Sequence, residues 1–219
     1  MNSNSSAGST RRICVLVSGR GSNMQAIHKR CLDGTVPAKI AAVITNNPHA
    51  GALEYAAQHC VASAIVNHRD YANKASFELA LTAKVNEYQP DLVALAGFMR
   101  VLTADFTDQY SGHLINIHPS LLPRYKGLNT HQRALAGGDR WHGCSVHFVS
   151  PALDGGPLIA RAIVPVLAND TEVTLANRVL QKEHILYPQV IADILNGTIT
   201  CRDDRVLRRG LALRYPETI

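Results

Sequence analysis

The ten residues Leu114 to Pro123, Leu-Ile-Asn-Ile-His-Pro-Ser-Leu-Leu-Pro, constrain this chain more than any other stretch. An apolar, β-branched run that ends in a His followed by proline is the pattern of a buried strand halted where a polar group is needed. Asn116 and His118 stand two residues apart, so a strand that reaches His118 presents both side chains on one face. One supplies an amide, the other a titratable imidazole. Pro119 and Pro123 fix φ and remove backbone donors, which stiffens the loop behind the His and allows a cis peptide at Leu122-Pro123. A core strand with a capped end uses the same residues, so this stretch alone leaves catalysis and structure both open.

A chain of 219 residues can bury one substantial core, and 46% hydrophobic against 18% charged residues is a globular balance. The net charge of +5 sits largely in Arg11, Arg12, Arg202, Arg205, Arg208, Arg209 and Arg214. A nucleic-acid binder would interleave a basic stripe with aromatics, and aromatics are only 5% here, so no nucleic-acid partner is expected. A small substrate bearing phosphate accounts for a mild positive bias equally well. Cys14, Cys31, Cys60, Cys144 and Cys201 are odd in number and widely spaced, which speaks against a disulfide framework and for a reducing, cytoplasmic setting. The ten histidines show no helical ligand pair and no cysteine partner at ligand spacing, so no metal is expected. No apolar run reaches a membrane span, and the Ser-rich start lacks a secretory core.

Ile13 to Val17 is apolar throughout, and Ser18-Gly19-Arg20-Gly21-Ser22-Asn23 then opens a segment whose Met24, Ile27 and Cys31 recur at helical spacing. This reads as strand, glycine turn, helix. The first backbone N–H groups of a helix have no partner and point into the turn, where an anion is welcome. Gly21 lets the backbone come close, and Ser22 and Asn23 add side-chain donors, so a phosphate fits. A plain N-capped turn uses the same residues. No third glycine at dinucleotide spacing follows, and Thr45-Asn46-Asn47-Pro48 stands where an acidic residue would hold a ribose, which disfavours a nicotinamide enzyme.

Strands are expected over Lys39 to Thr45, near Ala64 to Val66, and over Leu92 to Ala96, Gly143 to Val149 and Leu158 to Val166. Helices are expected over Gly51 to Cys60, around Phe77 to Tyr88, over His131 to Gly137 and from Thr171 to Leu195. Leu92 to Ala96 is apolar on both faces, the mark of a central parallel strand covered by helices on either side, and ligands of such sheets gather beyond the strands' carboxyl ends. Phe98 to Leu102 lies just past this end and reads either as a pocket wall or as the first turn of a packed helix. His147 alternates with Ser145 and reads as structural or as a supporting group, and Asp154-Gly155-Gly156-Pro157 reads as a turn. The fold class is thus α/β, a Rossmann-like, mostly parallel twisted sheet with helices on both faces, in a single domain.

Leu114 to Pro123, with Ala96-Gly97-Phe98-Met99-Arg100 before it and Asp154-Gly155-Gly156-Pro157 after it, resembles the folate-dependent formyltransferases. These enzymes move a formyl group from 10-formyltetrahydrofolate to an amine. The loop Ser18 to Asn23 is similar to that of the purine-synthesis branch of the family, whose acceptor is a phosphoribosylated glycinamide, and the likeness runs from about Ile13 to Gly197. The resemblance implies that Asn116, His118 and Asp154 are catalytic, with His118 as general acid. It implies further that Gly21, Ser22, Asn23 and Glu183 hold the acceptor, and that Lys74, Met99, Arg100, Val101, Leu102 and Asn116 hold the folate. Lys74 replaces the family's usual arginine and supplies charge without the planar fork, and Leu180 stands where a polar residue often assists the glutamate.

The domain plan that follows is a disordered tail over 1–11, a catalytic domain over 12–200 and a peripheral extension over 201–219. Within the domain the N-terminal half binds phosphate and the C-terminal half folate. The partners are the two small molecules, with no membrane and with a homodimer left open. Direct transfer is expected, because no Ser or Cys has an activating neighbour. Asn116 would donate to the developing oxyanion, His118 would donate and deliver a proton, and ionised Asp154 would favour the imidazolium. Three alternatives stand beside this reading: a formyltetrahydrofolate deformylase, which would share these residues; a methionyl-transfer-RNA formyltransferase, which would need a C-terminal RNA-binding domain; and a non-catalytic folate- or nucleotide-binding module, whose mark would be loss of Asn116, His118 or Asp154.

Overall fold

The computed structural model of the protein describes residues 10–213 and 215–219. The expected disorder of the N-terminal tail concerns residues that lie outside this range up to position 9. Arg11, placed in that tail by the sequence, already pairs with Ala38 in the first strand.

The chain alternates strand and helix through its first half: β1 (Arg11–Val17), α1 (Ser22–Leu32), β2 (Ala38–Thr45), α2 (Gly51–Gln58), β3 (Ser63–Ile65), α3 (Lys74–Glu87), β4 (Leu92–Leu95), α4 (Ala104–Gln109) and β5 (Leu114–His118). Helix α5 (Thr130–Ala136), the strands β6 (Trp141–Phe148) and β7 (Leu158–Pro165), and the long α6 (Glu172–Leu195) follow. An eight-stranded sheet runs in the order β11-β7-β6-β5-β4-β1-β2-β3, where β11 is Glu217–Thr218. Its pairs are parallel except for β5 with β6 and β6 with β7, so β6 alone runs backwards.

Alternation along β1 divides the core. Ile13, Val15 and Val17 pack with Met24 and Ile27 of α1 and with Leu175, Val179, Leu186 and Val190 of α6. Cys14 and Leu16 face the other way, against Phe77, Leu81 and Val85 of α3 and Phe106 of α4. A sheet covered on both faces explains why its central strands read as unbroken apolar runs. Asn73 and Thr171 each close a capping box at the starts of α3 and α6, a sequence signal for helix entry. Tyr187 of α6 is fully buried, and its hydroxyl donates to the carbonyls of Leu95 (2.9 Å) and Ile115 (3.2 Å), pinning the helix to the end of β4 and the start of β5.

One open reading is decided and one expectation changes. Phe98 to Thr103 forms no helical turn; it is a loop, and the helix starts only at Ala104. The C-terminal segment is not wholly peripheral. It forms a small sheet of β8 (Ile199–Arg202), β9 (Arg205–Arg208) and β10 (Leu211–Ala212), and β11 then returns to the edge of the main sheet beside β7. Arg208 holds Glu217 there at 2.6 Å.

Candidate active site

The carboxyl ends of β1, β4 and β5 lie side by side, since β4 pairs with both others and places Leu95 beside Asn116. Ile115 and Ile117 belong to the core under α1 and α6, and Leu114 to the core under α3 and α4. Asn116 and His118 therefore continue Leu114's row past the point where that core ends, as the two-residue spacing predicts.

Because β6 is antiparallel, Asn116 pairs with His147 and His118 with Ser145. His147 Nδ1 donates to the carbonyl of Phe148 at 2.8 Å, which leaves Nε2 as an acceptor for Asn116 Nδ2 at 3.2 Å. Burial, ahead of its other surroundings, lowers the His147 pKa, so the ring stays neutral and in this tautomer. The Asn116 amide is thereby oriented, with a second N–H still to give. His147 is the supporting group that its alternation suggested.

Asp154 arrives from the loop between β6 and β7 with φ 44°, in the left-handed region that Asp tolerates. Gly156 is obligatory behind it, since a Cβ there would sit 2.0 Å from the carbonyl oxygen of Phe148. Asp154 Oδ2 lies 3.5 Å from His118 Nδ1, and Oδ1 lies 3.9 Å from His147 Nε2. Both side chains of the His118–Asp154 pair are about nine-tenths buried, so solvent screens the pair little. Two main-chain groups complete the arrangement. The Tyr125 carbonyl accepts from His118 Nε2 at 2.9 Å, and the Gly127 N–H donates to Asp154 Oδ2 at 2.8 Å. Sequence reasoning missed both, because a backbone partner leaves no mark in residue type.

At the glycine turn, Gly21 has φ 75° and caps α1, and among the described residues no side chain caps the helix's first amides. A Cβ on Gly21 would lie 2.8 Å from the Cβ of Ala52. Asn23 differs from expectation. One of its two side-chain N–H groups is committed to Glu183 Oε2 at 2.7 Å, so at most the other can reach an anion, while Asn23 Oδ1 is buried with no partner among the described residues. Burial raises the Glu183 pKa, and the Asn23 bond only partly opposes it. Gly21, Ser22, Asn23 and Glu183 thus form one cluster. Two inter-strand steps, about 9.5 Å, separate the ends of β1 and β5, a span that one small molecule with a phosphate at one end can bridge.

The third group lies along the loop after β4. Ser18 ties it to the glycine turn: Ser18 N donates to the Gly97 carbonyl, and Ser18 Oγ accepts from Met99 N at 2.8 Å and donates to Asn46 Oδ1 at 2.6 Å. Met99 and Val101 are more than half exposed, whereas Leu102 is buried in the α3/α4 core. Arg100 is exposed. Lys74, at the start of α3, lies 3.7 Å from the buried Glu78, which also accepts from Thr103 N and Oγ1. Lys74 therefore stands beside this loop with part of its charge already answered.

Burial raises the pKa of four cysteines, Cys14 to about 12 and Cys31 to about 11 with Cys144 and Cys201 also moved up, so none of these is poised as a thiolate. Among the described residues no group of three or more His, Cys, Asp or Glu could hold a metal ion, and no helix is long and apolar enough to cross a membrane.

A buried imidazole between a carboxylate and a carbonyl, with an oriented amide two residues away, suits acyl-group chemistry on a ligand at the sheet's carboxyl edge. Comparison with known proteins agrees: the formyl transferase family pattern matches residues 11–191. The chain belongs to this family. Among relatives of this formyl transferase, the phosphoribosylglycinamide formyltransferase of Escherichia coli (strain K12) is 43% identical over 92% of this chain and 95% of its own. The trifunctional purine biosynthetic protein adenosine-3 of Drosophila melanogaster is 40% identical over 86% of this chain, a match confined to 14% of that longer protein. Among solved structures, the phosphoribosylglycinamide formyltransferase of Coxiella burnetii superposes with a TM-score of 0.92 at 42% identity, covering 95% of this formyl transferase and 99% of that chain.

Proposed function

We propose that this enzyme transfers the formyl group of 10-formyltetrahydrofolate to the amine of phosphoribosylglycinamide, giving the N-formyl product and tetrahydrofolate in purine biosynthesis, and that it does so in the cytoplasm. The observation that carries the reading is the dry His118–Asp154 pair with Asn116 beside it, two strand steps away from a helix start that lacks a side-chain cap and suits phosphate. Relatives matched over nearly their whole length are named for this reaction.

Transfer forms one N–C bond, breaks another, and moves one proton from the attacking amine to the departing folate nitrogen. As the amine attacks, negative charge develops on the formyl oxygen. The free N–H of Asn116 and the Nδ1–H of protonated His118 are the donors for it. A donor of this kind contributes about 3 to 4 kcal/mol to comparable acyl transfers. Nε2 is committed to the Tyr125 carbonyl, so Nδ1 is the working nitrogen, and Asp154 stabilises the charge it carries. His118 then delivers its proton to the leaving nitrogen as general acid, and the proton shed by the attacking amine restores the imidazolium, so that one proton passes from amine to folate. Gly21, Ser22 and Asn23 receive the acceptor's phosphate chiefly through backbone N–H groups. Glu183 receives the amine end, an encounter that favours its ionised form against the pull of burial. Lys74, Met99, Arg100, Val101 and Leu102 line the folate's path, the last three by their backbone.

The test is to supply 10-formyltetrahydrofolate with and without phosphoribosylglycinamide and to follow folate absorbance. Turnover that requires the amine is expected. Equal turnover in its absence would make the enzyme a hydrolase, and no turnover in either case would leave a binding module. Sedimentation of the purified chain distinguishes a monomer from a homodimer.

A further inference from the structure

The loop between β5 and α5 crosses over His118 with an uncommon backbone. Tyr125 has φ 55°, in the left-handed region where any side chain other than glycine is crowded by its own carbonyl. An aromatic residue stays there only when its surroundings hold it. Here the side chain is gripped from three directions. The phenol donates to Asp139 Oδ2 at 2.8 Å, and the other Asp139 oxygen accepts from Arg124 at 2.7 Å. The guanidinium carbons of Arg124 and Arg133 lie 5.3 and 5.2 Å from the ring centroid, within cation–π range. Arg133, on α5, also donates to the carbonyl of Lys126 at 2.6 Å. None of these groups belongs to the proposed substrate sites.

What the grip secures is one oxygen atom. The Tyr125 carbonyl, 2.9 Å from His118 Nε2, can only accept, so Nε2 carries hydrogen and Nδ1 is turned toward Asp154. Two residues on, Gly127 N–H holds the Asp154 oxygen that faces Nδ1. A single short segment therefore aims both members of the pair.

We propose that Tyr125 is a positioning residue for formyl transfer, its clamped phenol ring holding the main-chain carbonyl that orients His118 and decides which ring nitrogen works. This rests on the role given to His118 above and adds to it a cause for that ring's orientation. Losing the clamp frees the backbone at Tyr125 to leave the left-handed region, the carbonyl swings away, and the imidazole can turn or exchange tautomers.

The experiment compares Tyr125→Ala and Tyr125→Phe with His118→Ala in steady-state kinetics, alongside ¹⁵N spectra of the histidine rings. Tyr125→Ala removes the whole clamp, and kcat is expected to fall by about 100-fold while both KM values stay within about twofold, as for a reacting group moved by an ångström. Tyr125→Phe keeps the ring between its guanidiniums and loses only the bond to Asp139, so a fall of about threefold is expected. In the parent enzyme neutral His118 should carry hydrogen on Nε2, and in Tyr125→Ala the two tautomers should mix. Should the alanine variant fail to fold, the phenylalanine variant carries the test through the same spectra, with partial mixing expected. The proposal is overturned by unchanged kcat in both variants, by a parent-like His118 spectrum, or by KM rising in step with the fall in kcat. An active His118→Ala would overturn the reading of His118 itself, whereas an inactive one beside a normal Tyr125→Ala overturns the positioning role alone.

Discussion

Replacing Asp154 with Asn tests the centre most directly, because the substitution removes a charge and little else. The amide oxygen can still accept from Gly127 N–H, which now bonds Asp154 Oδ2 at 2.8 Å, so the loop should hold its place. The lost term follows from the geometry. Unit charges 3.5 Å apart attract by about 5 kcal/mol at an effective dielectric of about 20. Keeping a carboxylate dry offsets part of this, leaving about 3 kcal/mol of support for the imidazolium, on the order of 10²-fold in kcat. With its oxygen held there by Gly127, the Asn presents a neutral acceptor to Nδ1 and turns its NH2 toward His147 Nε2. Folate absorbance under saturating substrates gives kcat, and a melting curve checks the fold. Because the pair is buried, raising salt should alter the ratio of parent to variant rates little. A variant within tenfold of the parent, with an unchanged melting temperature, would refute the argument that this carboxylate stabilises the working charge.

Gly21→Ala forces a Cβ to within 2.8 Å of Ala52 at φ 75°, a left-handed strain of about 1 to 2 kcal/mol; KM for the phosphorylated acceptor should rise at least tenfold while the folate KM holds, and equal rises in both would contradict a phosphate role. Glu183 has a folded pKa raised above its ordinary value of 4.5 by burial. The folded state therefore holds the extra proton, and stability falls as pH climbs from about 4.5 through the raised value. Glu183→Gln should flatten that part of a melting-temperature profile, and parallel profiles would count against it. Tyr187→Phe loses the buried bond to Leu95 and Ile115, worth about 1 kcal/mol, and calorimetry should show a fall of about 2 to 4 °C.

The sheet and its two helical layers were legible because burial on both faces writes itself as apolar runs, whereas the caps Asn73 and Thr171 went unread, and α3 begins at Lys74, ahead of the apolar stripe that starts at Phe77. The Asn116/His118 spacing likewise carried its geometry in the sequence. Three things did not. The anchoring of His118 and Asp154 uses the carbonyl of Tyr125, which any residue supplies, and the amide of Gly127, which any residue but proline supplies. The pairing of Asn116 with His147 depends on β6 running antiparallel, a matter of topology rather than of local pattern. The bond between Asn23 and Glu183 joins positions far apart in the chain, and it turns an expected phosphate donor into a partner of the carboxylate. The loop at Phe98 to Leu102 was ambiguous since an exposed Met99 and a buried Leu102 read alike as letters.

The placement of β11 bears on how the chain is made. Glu217 and Thr218 lie against Ala160 and Arg161, so the row of peptide groups on that side of β7 waits for roughly 55 more residues to be synthesised, about 3 to 11 s at ribosomal speed. Throughout that interval the nascent protein offers a strand border to any neighbouring polypeptide. Arrival of β11 covers that border at Ala160 and Arg161 and withdraws it from such pairing.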